Sequence, residues 1–203
     1  MKPEAQQIIR GVIHWDSGFS VDADGAPTCY APAGSGLLAL DYLANAGRTG
    51  DWWGIVIDSN GDPVIQGPHD PAPGYYVSAT ALFDPSRGLS DPHRYVNSEE
   101  VPYVVMPPEL RAHGVYLGDV AWVTRAEHSC GAVVADVGPR GQLGEGSIAL
   151  ARALRIPASP KHGGVTHGVE WLIFPGSRRG WPRTPADVEL QAATLYDEWK
   201  RGA

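Results

Sequence analysis

Two carboxylates bracket a glycine-rich reversal in the segment Ala132-Val-Val-Ala-Asp136-Val-Gly-Pro-Arg-Gly-Gln-Leu-Gly-Glu145-Gly-Ser-Ile-Ala-Leu150. Val133 and Val134 form an apolar β-branched run that delivers Asp136 at a strand end. Gly138-Pro139 and Arg140-Gly141 then turn the chain back, and Glu145 stands between Gly144 and Gly146 at the mouth of a helical pattern. Two acids held on rigid element ends across a cleft are what glycosidic hydrolysis requires: one protonated to assist the leaving oxygen, one ionised to activate water. Acids at turns and helix starts also serve as caps and dipole partners, so the spacing nominates this chemistry without fixing it.

The same segment resembles the signature of glycoside hydrolase family 75, the fungal-type chitosanases, whose pattern runs roughly GDxGP…GEAS before a helix of small and aliphatic residues. Gly74-Tyr-Tyr-Val-Ser-Ala-Thr-Ala-Leu82, Tyr95-Val-Asn-Ser98, Val101-Pro-Tyr-Val-Val-Met-Pro107, Gly118-Asp-Val120 and Phe174-Pro-Gly-Ser177 are similar to blocks in the same order in that family. Together they span most of residues 54–177. The resemblance implies that Asp136 and Glu145 are the essential carboxylates of an enzyme that cleaves chitosan with inversion. Two small-for-small departures stand beside them: Ala135 where the family has Gly, and Gly146 where it has Ala. The resemblance also points to Asp22, Asp24 and Asp84 as contacts for the substrate.

The elements that must position these residues are short. With 203 residues, 25 glycines and 18 prolines, the chain reads as a single domain over 1–203 with many turns. Strands are expected at Trp53–Ile57, Tyr75–Ala79, Tyr103–Met106, Val120–Thr124, Ala132–Asp136 and Glu170–Phe174. Helices are expected at Leu37–Asn45, Ser147–Arg155 and Ala186–Arg201. The fold class is mainly β (β-rich α+β): a small closed or partly closed β-barrel with peripheral helices and an open substrate cleft.

A formal charge of −7 disfavours nucleic acid and anionic membrane surfaces and favours a cationic amino-sugar polysaccharide as partner. Asp119 joins Asp22, Asp24 and Asp84 as an expected ammonium contact. Sugar C–H faces pack well on flat rings. Adjacent strand residues face opposite ways, so one of Trp52/Trp53 and one of Tyr75/Tyr76 belongs to the core; Trp52 and Tyr76 are the expected cleft-facing members. Asp22-Ala-Asp24-Gly25 and Asp58-Ser-Asn60-Gly61-Asp62 resemble the start of a calcium loop but lack its twelfth-position Glu. No His-Glu-x-x-His or CxxC occurs, so the expected chemistry needs no metal and no cofactor. Cys29 and Cys130 read as two thiols or one disulfide, with free thiols favoured. The first ten residues lack the apolar core of a secretory signal and no run is long enough to span a bilayer. A monomer acting outside the cell, exported by an unidentified route, is the expectation. The alternatives are a hydrolase of bacterial peptidoglycan delivered as an antibacterial effector, and a non-catalytic carbohydrate-binding protein.

Overall fold

A computed structural model describes residues 7–202, so most of the N-terminal segment read for a leader lies outside the described residues. The strands are β1 (Gln7–Ile9), β2 (Val12–Asp22), β3 (Gly47–Arg48), β4 (Asp51–Trp52), β5 (Tyr103–Met106), β6 (Val120–Arg125), β7 (His128–Val137), β8 (Glu145–Ser147) and β9 (Val165–Phe174). The α-helices are α1 (Ile148–Ala153) and α2 (Pro185–Arg201). Six strands close in the order β2-β8-β5-β7-β6-β9, with β9 returning to β2, and β1 adds a hairpin outside the ring. Closure removes the free sheet edges that an open sheet would expose. The fold is therefore the mainly β barrel with few helices that the sequence suggests. The β2–β8 and β5–β7 pairs are parallel and the remaining pairs antiparallel.

Strand alternation sorts the core into an inside and an outside. Val104, Met106, Ala132 and Val134 point into the barrel with Trp15, Phe19 and Trp171. There Trp15 and Trp171 stack with ring centroids 5.7 Å apart, and Phe19 lies 5.3 Å from Trp171. Tyr103, Val105, Val133 and Ala135 point outward into a second cluster that includes Val188 and Ala192 of α2. Helix α2 starts on a capping box in which Thr184 and Asp187 bond each other's backbone amides. Ser147 caps α1 by accepting the Leu150 amide, and the same hydroxyl oxygen accepts the Tyr103 amide.

Residues 23–100 cover part of the outer face with little regular structure. The expected helix Leu37–Asn45 is reduced to a 3-10 turn at Leu43–Ala46. Tertiary partners override its helical spacing: the Leu40 and Asp41 amides bond the carbonyls of Thr28 and Cys29, and Lys161 donates to the Ala39 carbonyl. The expected strands at 53–57 and 75–79 do not form as regular strands; they pair only through isolated bridges such as Ile55 with Ser78 and Ile65 with Tyr76. Both thiols are free and buried. They sit in different clusters, Cys29 beneath the covering segment and Cys130 inside the barrel.

Candidate active site

Asp136, Val105 and Glu145 stand in one row across three strands. Val105 of β5 pairs with Asp136 of β7 on one side and with Glu145 of β8 on the other. Paired residues share a face, so both carboxylates rise from the outside of the barrel, two strand spacings or roughly 10 Å apart at the backbone. A β-bulge makes this possible. Between the pairs Val104–Val134 and Val105–Asp136 the register slips, leaving Ala135 without a partner on β5. Without that extra residue, strict alternation would turn Asp136 into the apolar barrel interior. The Ala135 carbonyl freed by the bulge accepts the Leu82 amide at 2.8 Å.

The glycines around Glu145 serve chain packing. Gly144 has φ +90°, and a side chain there would lie 2.6 Å from the Gly18 carbonyl; one at Gly146 would lie 2.9 Å from the Tyr103 carbonyl. Strand β8 is squeezed between β2 and β5, and that crowding leaves no room for a side chain at 146. Gly138 is different: a side chain there would press on Val105 and on Glu145 Oε2 at 3.2 Å. Its absence keeps the space between the two acids clear. Glu145 is the first residue of the short strand β8, with Ser147 as the cap of α1.

Both acids line a cleft of about 890 Å³ that also contains Asp22, Asp24 and Asp41. Among the described residues lining it there is no lysine, arginine or histidine. Asp22, at the end of β2, accepts the Tyr103 hydroxyl at 2.9 Å and the Asp24 amide at 2.9 Å. Asp24 accepts the Tyr30 hydroxyl at 2.7 Å. Asp136 Oδ1 accepts the amides of Ala81 (3.0 Å) and Val137 (2.8 Å). Glu145 has a single long contact, 3.3 Å from the Gln142 amide. Asp41 is committed to the Asn45 side chain and the Tyr42 amide.

Crowding of like charges in a poorly solvated cleft keeps protons on these groups. Burial, followed by the Asp22 charge, pushes Asp136 up to about 8, while its two amide donors pull the other way. Burial pushes Glu145 to about 8 as well, followed by the charges of Asp22, Asp136 and Asp41. Burial raises Asp22 to about 6. Asp24 is held well above the ordinary carboxylate range by burial and then by Asp22 and Asp136. Protons leave such a set in steps that belong to the cluster as a whole.

One carboxylate oxygen from each of Asp22, Asp24 and Asp136 lies within 4.8 Å of the others, a spacing at which a divalent cation could be held. The donor set fits such an ion poorly. Tyrosine hydroxyls or backbone amides already occupy Asp22 Oδ1 and Oδ2, Asp24 Oδ1 and Asp136 Oδ1. A dedicated cation site would leave more of those oxygens free.

The structure thus brings together Asp136, Glu145, Asp22 and Asp24, and it corrects four other expectations. Asp84 closes a turn, accepting both the amide and the hydroxyl of Ser86, and does not line the cleft. Asp119 is fully buried, where it pins two loops through the amides of Tyr116 and Arg178. Trp52 and Tyr76 pack against the cluster around Cys29 and Tyr30 beneath the covering segment. The cleft-facing member of the tryptophan pair is Trp53. Alternation holds for the pair, with one member in the core and one free, but it is Trp52 that turns inward from the β3–β4 hairpin. Sequence reasoning also missed Tyr30, Tyr103 and Asp41. Tyr103 was legible in principle, because a phenol within an otherwise apolar strand requires a partner for its hydroxyl. Compared with known proteins, the chain matches no family model and no curated relative.

Proposed function

We propose that the protein is an endo-acting glycoside hydrolase that cleaves the β-1,4 linkages of a cationic amino-sugar polymer, chitosan, by a single displacement. The observation that carries this reading is the shared row of Asp136, Val105 and Glu145, which sets two carboxylates on one face across a cleft. A backbone separation of two strand spacings leaves room for water between the carboxylates and the anomeric carbon, as an inverting pair with a gap of about 6.5–9.5 Å requires. The cleft's surplus of carboxylates without a cationic side chain supports a positively charged substrate. The resemblance to family 75 chitosanases supports the same assignment; acting on a polymer, the enzyme works outside the cell, as a monomer.

Asp136 is the base and Glu145 the acid. The two amides on Asp136 Oδ1 favour its ionised form, whereas Glu145 has no backbone donor and faces three acidic neighbours. Asp136 takes a proton from water as the water oxygen bonds to the anomeric carbon. The glycosidic C–O bond breaks on the opposite face, and its oxygen leaves with the proton of Glu145. Ammonium groups arriving with the substrate offset the crowded negative charge and favour ionisation of Asp136 at the moment of binding.

The test is reducing-end release from soluble chitosan beside clearing of purified peptidoglycan sacculi. Release from chitosan alone supports the proposal. Clearing of sacculi with no action on chitosan would replace it with the peptidoglycan reading, and saccharide binding with no cleavage of either would replace it with a binding protein.

A further inference from the structure

An exposed tryptophan that is held in place and faces a cleft differs from one that is merely left on the surface. Trp53 is 63% exposed and lines the cleft. Its indole N–H donates to the Asn45 carbonyl at 2.7 Å. Asn45 is itself clamped, its side-chain amide lying 3.0 and 2.9 Å from the two carboxylate oxygens of Asp41. The backbone is fixed as well, since the amides of Trp53 and Gly54 both bond the Ala46 carbonyl and the β3–β4 hairpin precedes them. The next residue, Gly54, packs so closely on Asp24 that a side chain there would lie 3.1 Å from both carboxylate oxygens. The indole is therefore pinned beside the acidic floor of the cleft with its hydrogen-bonding group already satisfied. What remains for a ligand is a flat apolar face.

We infer that Trp53 is the platform on which one pyranose ring of the substrate is seated, with Asp41 and Asn45 as positioning residues that fix the indole. The inference rests on the reading of the cleft as a polysaccharide site. A stacked ring turns its apolar C–H face to the indole and its equatorial substituents to the cleft walls, and a planar residue with two side-chain torsions loses little entropy in holding it. Trp53 makes no contact with the reacting bond in this arrangement. It contributes to binding in the ground and transition states alike, so its removal raises KM and leaves kcat nearly unchanged.

The experiment measures binding of glucosamine oligosaccharides by calorimetry in the inactive Asp136→Asn protein, with and without Trp53→Ala or Trp53→Phe, and KM and kcat on chitosan in otherwise intact protein. Trp53→Ala is expected to weaken binding and raise KM by about 10- to 100-fold, and Trp53→Phe, which keeps a flat ring, to restore most of the loss. Trp53 is the one exposed tryptophan among the described residues. The ligand-induced change in tryptophan emission is therefore expected to vanish in Trp53→Phe although binding persists. Unchanged oligosaccharide affinity in Trp53→Ala would overturn the platform while leaving the polysaccharide reading in place. Failure of the Asp136→Asn protein to bind any oligosaccharide would overturn both.

Discussion

Replacing Asp22 by Asn is expected to move the whole pH–activity profile to lower pH. Asp22 is the charged neighbour with the largest effect on both Asp136 and Glu145, and one of its oxygens lies within 4.8 Å of one from Asp136. Two unit charges at that separation repel by about 3.5 kcal/mol at an effective dielectric of about 20, and by about half that if water in the open cleft doubles the dielectric. Divided by about 1.36 kcal/mol per pH unit, this gives a shift of about 1–2.5 units. The sign follows from the charge removed. With Asp22 neutral, ionised Asp136 and Glu145 are no longer penalised, both lose their protons at lower pH, and both limbs move down together. Asn preserves the local fold, because its oxygen can still accept the Asp24 amide and its amide can donate to the Tyr103 hydroxyl. The assay is kcat/KM on chitosan from pH 3 to 9, expressed relative to wild type so that titration of the substrate cancels. Asp197→Asn, on the exposed face of α2, removes the same formal charge far from the cleft and is expected to shift neither limb. Superposition of the Asp22→Asn and wild-type profiles after scaling, or a shift to higher pH, would refute the electrostatic coupling.

Asp136→Asn and Glu145→Gln are each expected to lower hydrolysis by on the order of 10²–10⁴ while leaving the far-ultraviolet circular dichroism unchanged, since both are nearly isosteric; near-wild-type turnover in either removes that residue from the mechanism. Thermal stability is expected to fall as pH rises from about 4 to about 8, because Asp22, Asp136 and Glu145 hold their protons longer folded than unfolded. Each net unit of raised pKa is worth about 1.4 kcal/mol, or about 3–6 °C in a chain of this size. Calorimetry across that window is the check, with a flatter slope in Asp136→Asn, and a Tm that climbs with pH would contradict the protonated cluster. Activity is expected to survive exhaustive chelation; loss on chelation with recovery on adding one divalent ion would assign Asp22, Asp24 and Asp136 to a metal instead.

The barrel strands were legible where burial on both faces made them continuous apolar runs. Tyr103–Met106 is recovered residue for residue, and the last helix within one residue. Strand β2 escaped notice because His14, Asp16 and Ser17 interrupt its apolar pattern, the strand being solvated along part of one face. The covering segment was misread for the opposite reason. Leu37, Leu40 and Ala44 have helical spacing, yet backbone partners at Thr28 and Cys29 take the amides of Leu40 and Asp41 out of any helix. In the site, Asp136 and Glu145 could be nominated from their glycine-rich surroundings. The reason they share a face could not, because a one-residue bulge at Ala135 is a property of register between strands about thirty residues apart. Asp22 and Asp24 were expected as contacts for the substrate's ammonium groups. The structure places them beside Asp136, where the Asp22 charge adds to burial in holding the proton on Asp136.

In the proposed mechanism Asp136 and Glu145, two strand spacings apart on one barrel face, hydrolyse a β-linked amino-sugar polymer by direct attack of water. Time-resolved proton NMR of the first products released from chitosan tests it most directly. Single displacement on a β-linkage predicts that α-anomeric reducing ends form first and mutarotate afterwards. An initial excess of the β-anomer would require a covalent intermediate and contradict the separation of the two carboxylates on which the mechanism rests.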